Sequence, residues 1–194
     1  MELRPIPARG WADWYTQELC ASFPACECKP LEAIRALAAE GRYELLGLYD
    51  GAALLGYATL WSTPEWPDYV LLDYLGVTAA RRNGGLGGAI LKMLAAREAG
   101  RRTVLVEAEA ERSGGPEEER PLRLRRLGFY ARNACTPVYE SFNCGLLCQV
   151  FVLGPAPADQ VDLKAAHRAI YGPARTDVVI DPPPGASPEP PYWM

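Results

Sequence analysis

Residues 70–94, V-L-L-D-Y-L-G-V-T-A-A-R-R-N-G-G-L-G-G-A-I-L-K-M-L, constrain the fold more than any other stretch. The apolar run from Val70 to Val77 reads as a buried strand. A loop with Arg81, Arg82 and Asn83 follows, and four glycines, Gly84, Gly85, Gly87 and Gly88, crowd the start of a helical pattern. Leu86, Ile90 and Leu94 recur at helix spacing, with Met93 widening the stripe. Strand, basic glycine loop and helix in that order build an anion site. Glycines let backbone approach a ligand, and the unpaired N–H groups at the positive end of a helix favour a phosphate. An ordinary tight strand-to-helix turn would give the same pattern.

The composition sets the bounds. A chain of 194 residues, 49% apolar and 23% charged, suits one soluble globular domain with a real core. The net charge of −4 argues against nucleic acid and leaves cationic partners such as amines open. No apolar run approaches the ~18 residues that span a bilayer, so no membrane partner is expected. The opening M-E-L-R-P-I-P lacks a signal-peptide core, and a cytoplasmic location is the expectation. The six cysteines are read as reduced thiols. Cys26-x-Cys28 and Cys144-x3-Cys148 lack zinc-site spacing, the single histidine, His167, is distant, and no metal is expected.

Along the chain, helices are predicted over 11–23 and from Pro30 or Leu31 to Ala39, strands over 43–49 and 52–61 around the turn signal Asp50-Gly51, and a proline loop over 62–68. Gly56 marks a bulge candidate. Thr103–Ala108 is the next strand, parallel to 70–77 as a strand–helix–strand unit requires. Glu107, Glu109 and Glu111 alternate out of it; the group reads as a solvated face except for Glu107, which sits among apolar residues. After the Ser113–Pro116 break, Glu117–Glu119 open a long helix ending near Asn133. Strands at 137–143 and 146–153, a helix at 161–171 and a proline-rich tail from Asp181 complete the chain. Tyr192-Trp193-Met194 could dock on the domain or a partner. The domains read as 1–153, a helical extension 154–180, and the tail 181–194.

The pattern Arg82-x-x-Gly85-x-Gly87, five residues after Val77, resembles the pyrophosphate loop of the GNAT family of acyl-CoA-dependent N-acetyltransferases. L-D-Y-L-G-V resembles that family's L-E-Y-L-A-V strand, although Ala79 stands where proline is frequent. Phe129-Tyr130-Ala131-Arg132-Asn133 resembles the F-Y-x-R-N-G-F helix end of bacterial members, with Ala134-Cys135 in place of Gly-Phe. Taking Leu127-Gly128-Phe129 as L-G-F instead puts Leu124 at the tyrosine position; the first register also accounts for Arg132-Asn133.

The resemblance implies an α/β (α+β) fold with a mixed, mostly antiparallel sheet whose central parallel strands splay. It also implies acetyl-CoA as co-substrate, a small-molecule primary amine as acceptor, and direct attack in a ternary complex. The pantetheine arm would bond to Leu75, Gly76 and Val77, and the diphosphate to Arg82, Asn83, Gly84, Gly85, Leu86, Gly87 and Gly88. An attacking amine must shed a proton, because an alkylammonium with pKa near ~10 has no lone pair. Asp73 or Glu107 would be the base, its pKa raised by burial; each reads equally as a structurally paired acid. Tyr130 would protonate the leaving thiolate, or else serve as a core aromatic. The first helices, with Trp11, Trp14, Tyr15 and Phe23, would border the acceptor pocket or pack as core. A catalytically silent acyl-CoA sensor of the same fold remains the alternative, and a homodimer stays open.

Overall fold

A computed structural model describes residues 1–114 and 116–189, with the Cys26 side chain outside the description. Gly115 of the expected break and the terminal Tyr192-Trp193-Met194 lie outside the described residues. The chain forms two compact units: Met1–Ser62 with Leu72–Arg97, and Thr63–Leu71 with the chain from Glu98 onward.

The first unit holds strands β1 (Glu2–Pro5), β2 (Tyr43–Asp50), β3 (Ala53–Trp61) and most of β4 (Tyr69–Val77), neighbours in that order. β1 pairs antiparallel with β2, and β2 with β3. The Asp50-Gly51 turn signal is realised, with Gly51 at φ +57°. The β2–β3 register shifts by one residue beside Gly56. A Cβ on Gly56 would stand 2.7 Å from the Gly76 carbonyl, so close backbone approach explains that glycine.

Helix α1 (Trp11–Trp14) continues through Tyr15–Leu19 as a wider π turn, in which the Cys20 N–H reaches the Tyr15 carbonyl at 2.9 Å. The regular helix expected over 11–23 is therefore rewound midway. Trp14 takes the core reading: it is buried edge-on to Tyr57. Trp11 is half-buried, with Nε1 donating to the Ile6 carbonyl. Helix α2 spans Leu31–Ala39 and buries Ile34. Helix α3 (Leu86–Glu98) buries Ile90, Leu91 and Leu94 completely, so Leu91 rather than Met93 widens its stripe.

The second unit holds β5 (Thr103–Glu109), β6 (Cys135–Asn143), β7 (Leu146–Leu153) and β8 (Val179–Ile180), in the order β5-β7-β6-β8 with antiparallel pairings. The start of β4 belongs here too. The Thr103 N–H donates to the Asp68 carbonyl at 2.7 Å, so β4 and β5 begin side by side. Helix α4 (Arg120–Arg132) follows a 3-10 turn at Glu117–Glu119. Glu109 and Glu111 prove paired with arginines: Arg123 approaches Glu109 to 3.6 Å, and Arg120 meets Glu111 at 2.5 Å. Helix α5 (Val161–Tyr171) buries Leu163, Ala166, His167, Ile170 and Tyr171. The sheet is mixed and mostly antiparallel, as expected, and no helix among the described residues is long and apolar enough to cross a membrane.

Asn133 caps α4, and Ala134 follows at φ +59°. The left-handed stop that glycine normally supplies is thus made by alanine, at a cost of about 1 kcal/mol. Ala134→Gly is expected to stabilise the chain by about 1 kcal/mol in urea unfolding. An unchanged or lower midpoint would show that the helix end carries no such strain.

Candidate functional site

The residues expected to hold a nucleotide diphosphate come together in the first unit. β4 ends at Val77, a 3-10 turn covers Ala79–Arg81, and α3 starts at Leu86. Arg81 through Gly85 are exposed. Asn83 and Gly85 take left-handed φ values of 66° and 76°, and a Cβ on Gly85 would meet nothing within 4 Å. The first α3 hydrogen bond is Ala89 N–H to the Gly85 carbonyl at 3.1 Å, so the amides of Leu86, Gly87 and Gly88 precede the helix's own bonding. Open backbone, early helix amides and an exposed arginine suit a diphosphate. Arg82 donates to the Val77 carbonyl (3.4 Å) and to Ser22 Oγ (3.0 Å), which holds the bend against the strand end.

Upstream on the same strand, Gly76 has its own constraint: a Cβ there would lie 2.2 Å from the Tyr57 ring, which is completely buried. Asp73 carries a partner that sequence reasoning missed. Lys29 Nζ lies 2.9 and 3.1 Å from its two oxygens, and Tyr43 donates a short hydrogen bond to it. Burial, with the Asp73 charge adding, holds the Tyr43 phenol well above its usual pKa. The signal was present but diffuse: an acid in an apolar strand demands a buried counter-charge, and Lys29 is the only lysine before position 92.

Glu107 lies in the second unit, its side chain 10% exposed. It accepts hydrogen bonds from Ser141, from Tyr171 and from Asn143 Nδ2 (2.8 Å), and His167 Nε2 stands 3.3 Å from Oε1. Burial pushes its pKa up, but His167 and the Ser141 and Tyr171 hydroxyls outweigh it and bring it down to about 2. The upward shift expected from burial is corrected here: four polar side chains, from β6 and α5, converge on the carboxylate. Such a group accepts a proton poorly near neutral pH. His167, distant in the sequence and on the helical extension, is its central partner, and Tyr139 Oη sits 3.1 Å from His167 Nδ1. Beyond it, Arg175 grips Asp177 (2.7 and 2.8 Å) and donates to Asn143 Oδ1 at 2.6 Å.

Tyr130 is buried on α4, its ring 5.2 Å from Phe129 and 5.7 Å from Phe151. Burial pushes its hydroxyl up to about 12, with Arg126 opposing and Cys135 adding. It is therefore protonated, and a possible donor, at neutral pH. Phe23 stacks edge-on to Tyr74 at 5.2 Å, on the loop that carries Lys29.

A mixed sheet whose strand runs through an arginine–glycine bend into a helix is the fold of the GNAT acetyltransferases, and comparison with solved structures shows that fold. A protein assigned to the GNAT acetyltransferases from Bacteroides thetaiotaomicron is 24% identical over 86% of this chain and 94% of its own, with a TM-score of 0.66. An aminoglycoside 6'-N-acetyltransferase solved with coenzyme A is 14% identical over 81% and 99%, with a TM-score of 0.59. The ribosomal-protein-S18-alanine N-acetyltransferase of Escherichia coli is 14% identical over 81% and 97%, with a TM-score of 0.58. No family model and no curated protein matches the chain.

Proposed function

We propose that this chain moves an acetyl group from acetyl-CoA to a primary amine by direct attack in a ternary complex. The observation that carries the reading is the exposed bend from Arg82 to Gly85, which runs from the end of β4 into the half-buried first turn of α3 at Leu86, Gly87 and Gly88. Acetyl-CoA supplies an activated thioester when bound. Arg82 and the amides at the start of α3 would hold the diphosphate, and the backbone of Leu75, Gly76 and Val77 would line the arm that bears the thioester. Asp73, on the same strand, would take the proton that the acceptor ammonium must lose. Tyr130 would return a proton to the departing sulfur. Glu107 we assign to holding α5 and the segment after it. A cytoplasmic setting fits this use of acetyl-CoA.

Titration calorimetry with acetyl-CoA, followed by thiol release over a panel of primary amines, tests the reading; no binding overturns it. Tyr130→Phe is expected to lower turnover about 10-fold or more while acetyl-CoA affinity stays within twofold. Wild-type turnover in that variant removes Tyr130 from the mechanism. One observation favours the silent, acyl-CoA-sensing alternative: Asp73 is already paired with Lys29. Binding without turnover over the panel selects it.

A further inference from the structure

Lys29 is only 8% exposed, an uncommon setting for a lysine. Its ammonium contacts both oxygens of Asp73 and lies 4.1 Å from the Trp61 ring centre and 5.7 Å from those of Tyr43 and Tyr74. A carboxylate walled by aromatic rings is the chemistry that recognises an ammonium. The walls stand on strands: Tyr43 on β2, Trp61 on β3, Asp73 and Tyr74 on β4. The occupant comes from a loop.

Two features separate the chamber from its occupant. First, the carboxylate is held without the lysine. The Tyr74 N–H donates to Thr59 Oγ (3.0 Å), Thr59 Oγ lies 2.9 Å from Tyr43 Oη, and Tyr43 donates to Asp73. Second, the loop is held without the ammonium. The Lys29 N–H donates to Tyr74 Oη and Tyr74 Oη donates to the Glu27 carbonyl, both at 2.8 Å. The flexible side chain can therefore leave while the loop backbone and the acid stay in place.

We propose that Tyr43, Trp61, Asp73 and Tyr74 form an ammonium-binding site in which Lys29 is the resident occupant, displaced when the primary ammonium of an acceptor enters. The lysine is then a gate on specificity. It admits slim primary alkylammonium ions of its own shape and excludes neutral amines, which do not compete for the acid. That the incoming ion is the acetyl acceptor rests on the acetyl-transfer reading; the site itself does not.

The test removes the occupant and returns its head group. In Lys29→Ala, 50 mM n-butylammonium is expected to raise the thermal midpoint by several degrees over equal sodium chloride, because it binds only the folded chain. Wild type and Lys29→Arg should move by less than one degree. Should Lys29→Ala not fold, Lys29→Met, which keeps the apolar stem, is read with methylammonium in the same way. A response no larger than that of wild type overturns the proposal. Acetyl transfer to n-butylamine is measured alongside, with KM expected to fall about 10-fold on removing the gate. A midpoint shift without acetyl transfer by any variant to n-butylamine or to any amine of the panel upholds the cage and sinks the acetyl-transfer reading. Transfer without a shift does the reverse.

Discussion

Gly87→Glu is expected to abolish acetyl-CoA binding, weakening it by at least about 100-fold in titration calorimetry. Gly87 lies in the first turn of α3, where backbone amides and the helix dipole face the proposed diphosphate. A carboxylate there meets phosphate oxygens of like sign. At about 5 Å and an effective dielectric near 20, each such pair costs about 3 kcal/mol, or roughly two decades of affinity. The folded chain should not suffer, because glutamate is the better helix former by about 0.5 kcal/mol. Affinity and stability are thus expected to move in opposite directions, which a merely misfolded variant would not show. Unchanged affinity would refute the diphosphate assignment.

The second large effect is expected at Glu107. Its pKa falls from the ordinary 4.5 to about 2 in the folded chain. A depressed carboxylate contributes stability that is fully present above pH 4.5 and is lost as pH falls toward 2. The shift corresponds to about 3 kcal/mol at pH 7, at 1.36 kcal/mol per unit. Glu107→Gln removes the charge that meets His167 and weakens the bonds from Ser141 and Tyr171. Its unfolding midpoint at pH 7 should drop by roughly 6–12 °C. The gap between wild type and variant should close between about pH 5 and pH 2. A gap that persists at pH 2 would mean that packing, not ionisation, is what the substitution removed.

These two sites differ in how legible they were. The bend at 82–88 could be read because its parts are contiguous: an apolar run, a basic loop and glycines before a helical stripe. Helix α5 was legible for the same reason, its apolar residues recurring at helix spacing. What escaped notice depends on partners far apart in the chain. Asp73 finds Lys29 at a separation of 44 residues, and Glu107 finds Tyr171 at 64. Without those partners, burial alone dictated an upward shift for Glu107, and the direction came out reversed. Strand β1 escaped because Glu2–Pro5 is only four residues long and ends in proline, and it is made a strand by pairing with β2. The π turn at Tyr15–Leu19 escaped because apolar spacing does not distinguish it from an ordinary helix.

The end of β8 has a consequence of its own. Asp181 turns left-handed at φ +54° and donates to the Glu140 carbonyl at 2.9 Å, and Pro182, Pro183 and Pro184 follow at once. Three successive residues without an amide hydrogen give a foreign chain no ladder to climb beyond that rim. The border of the sheet is thereby guarded against fibril-like stacking by residues that touch neither acid nor glycine bend.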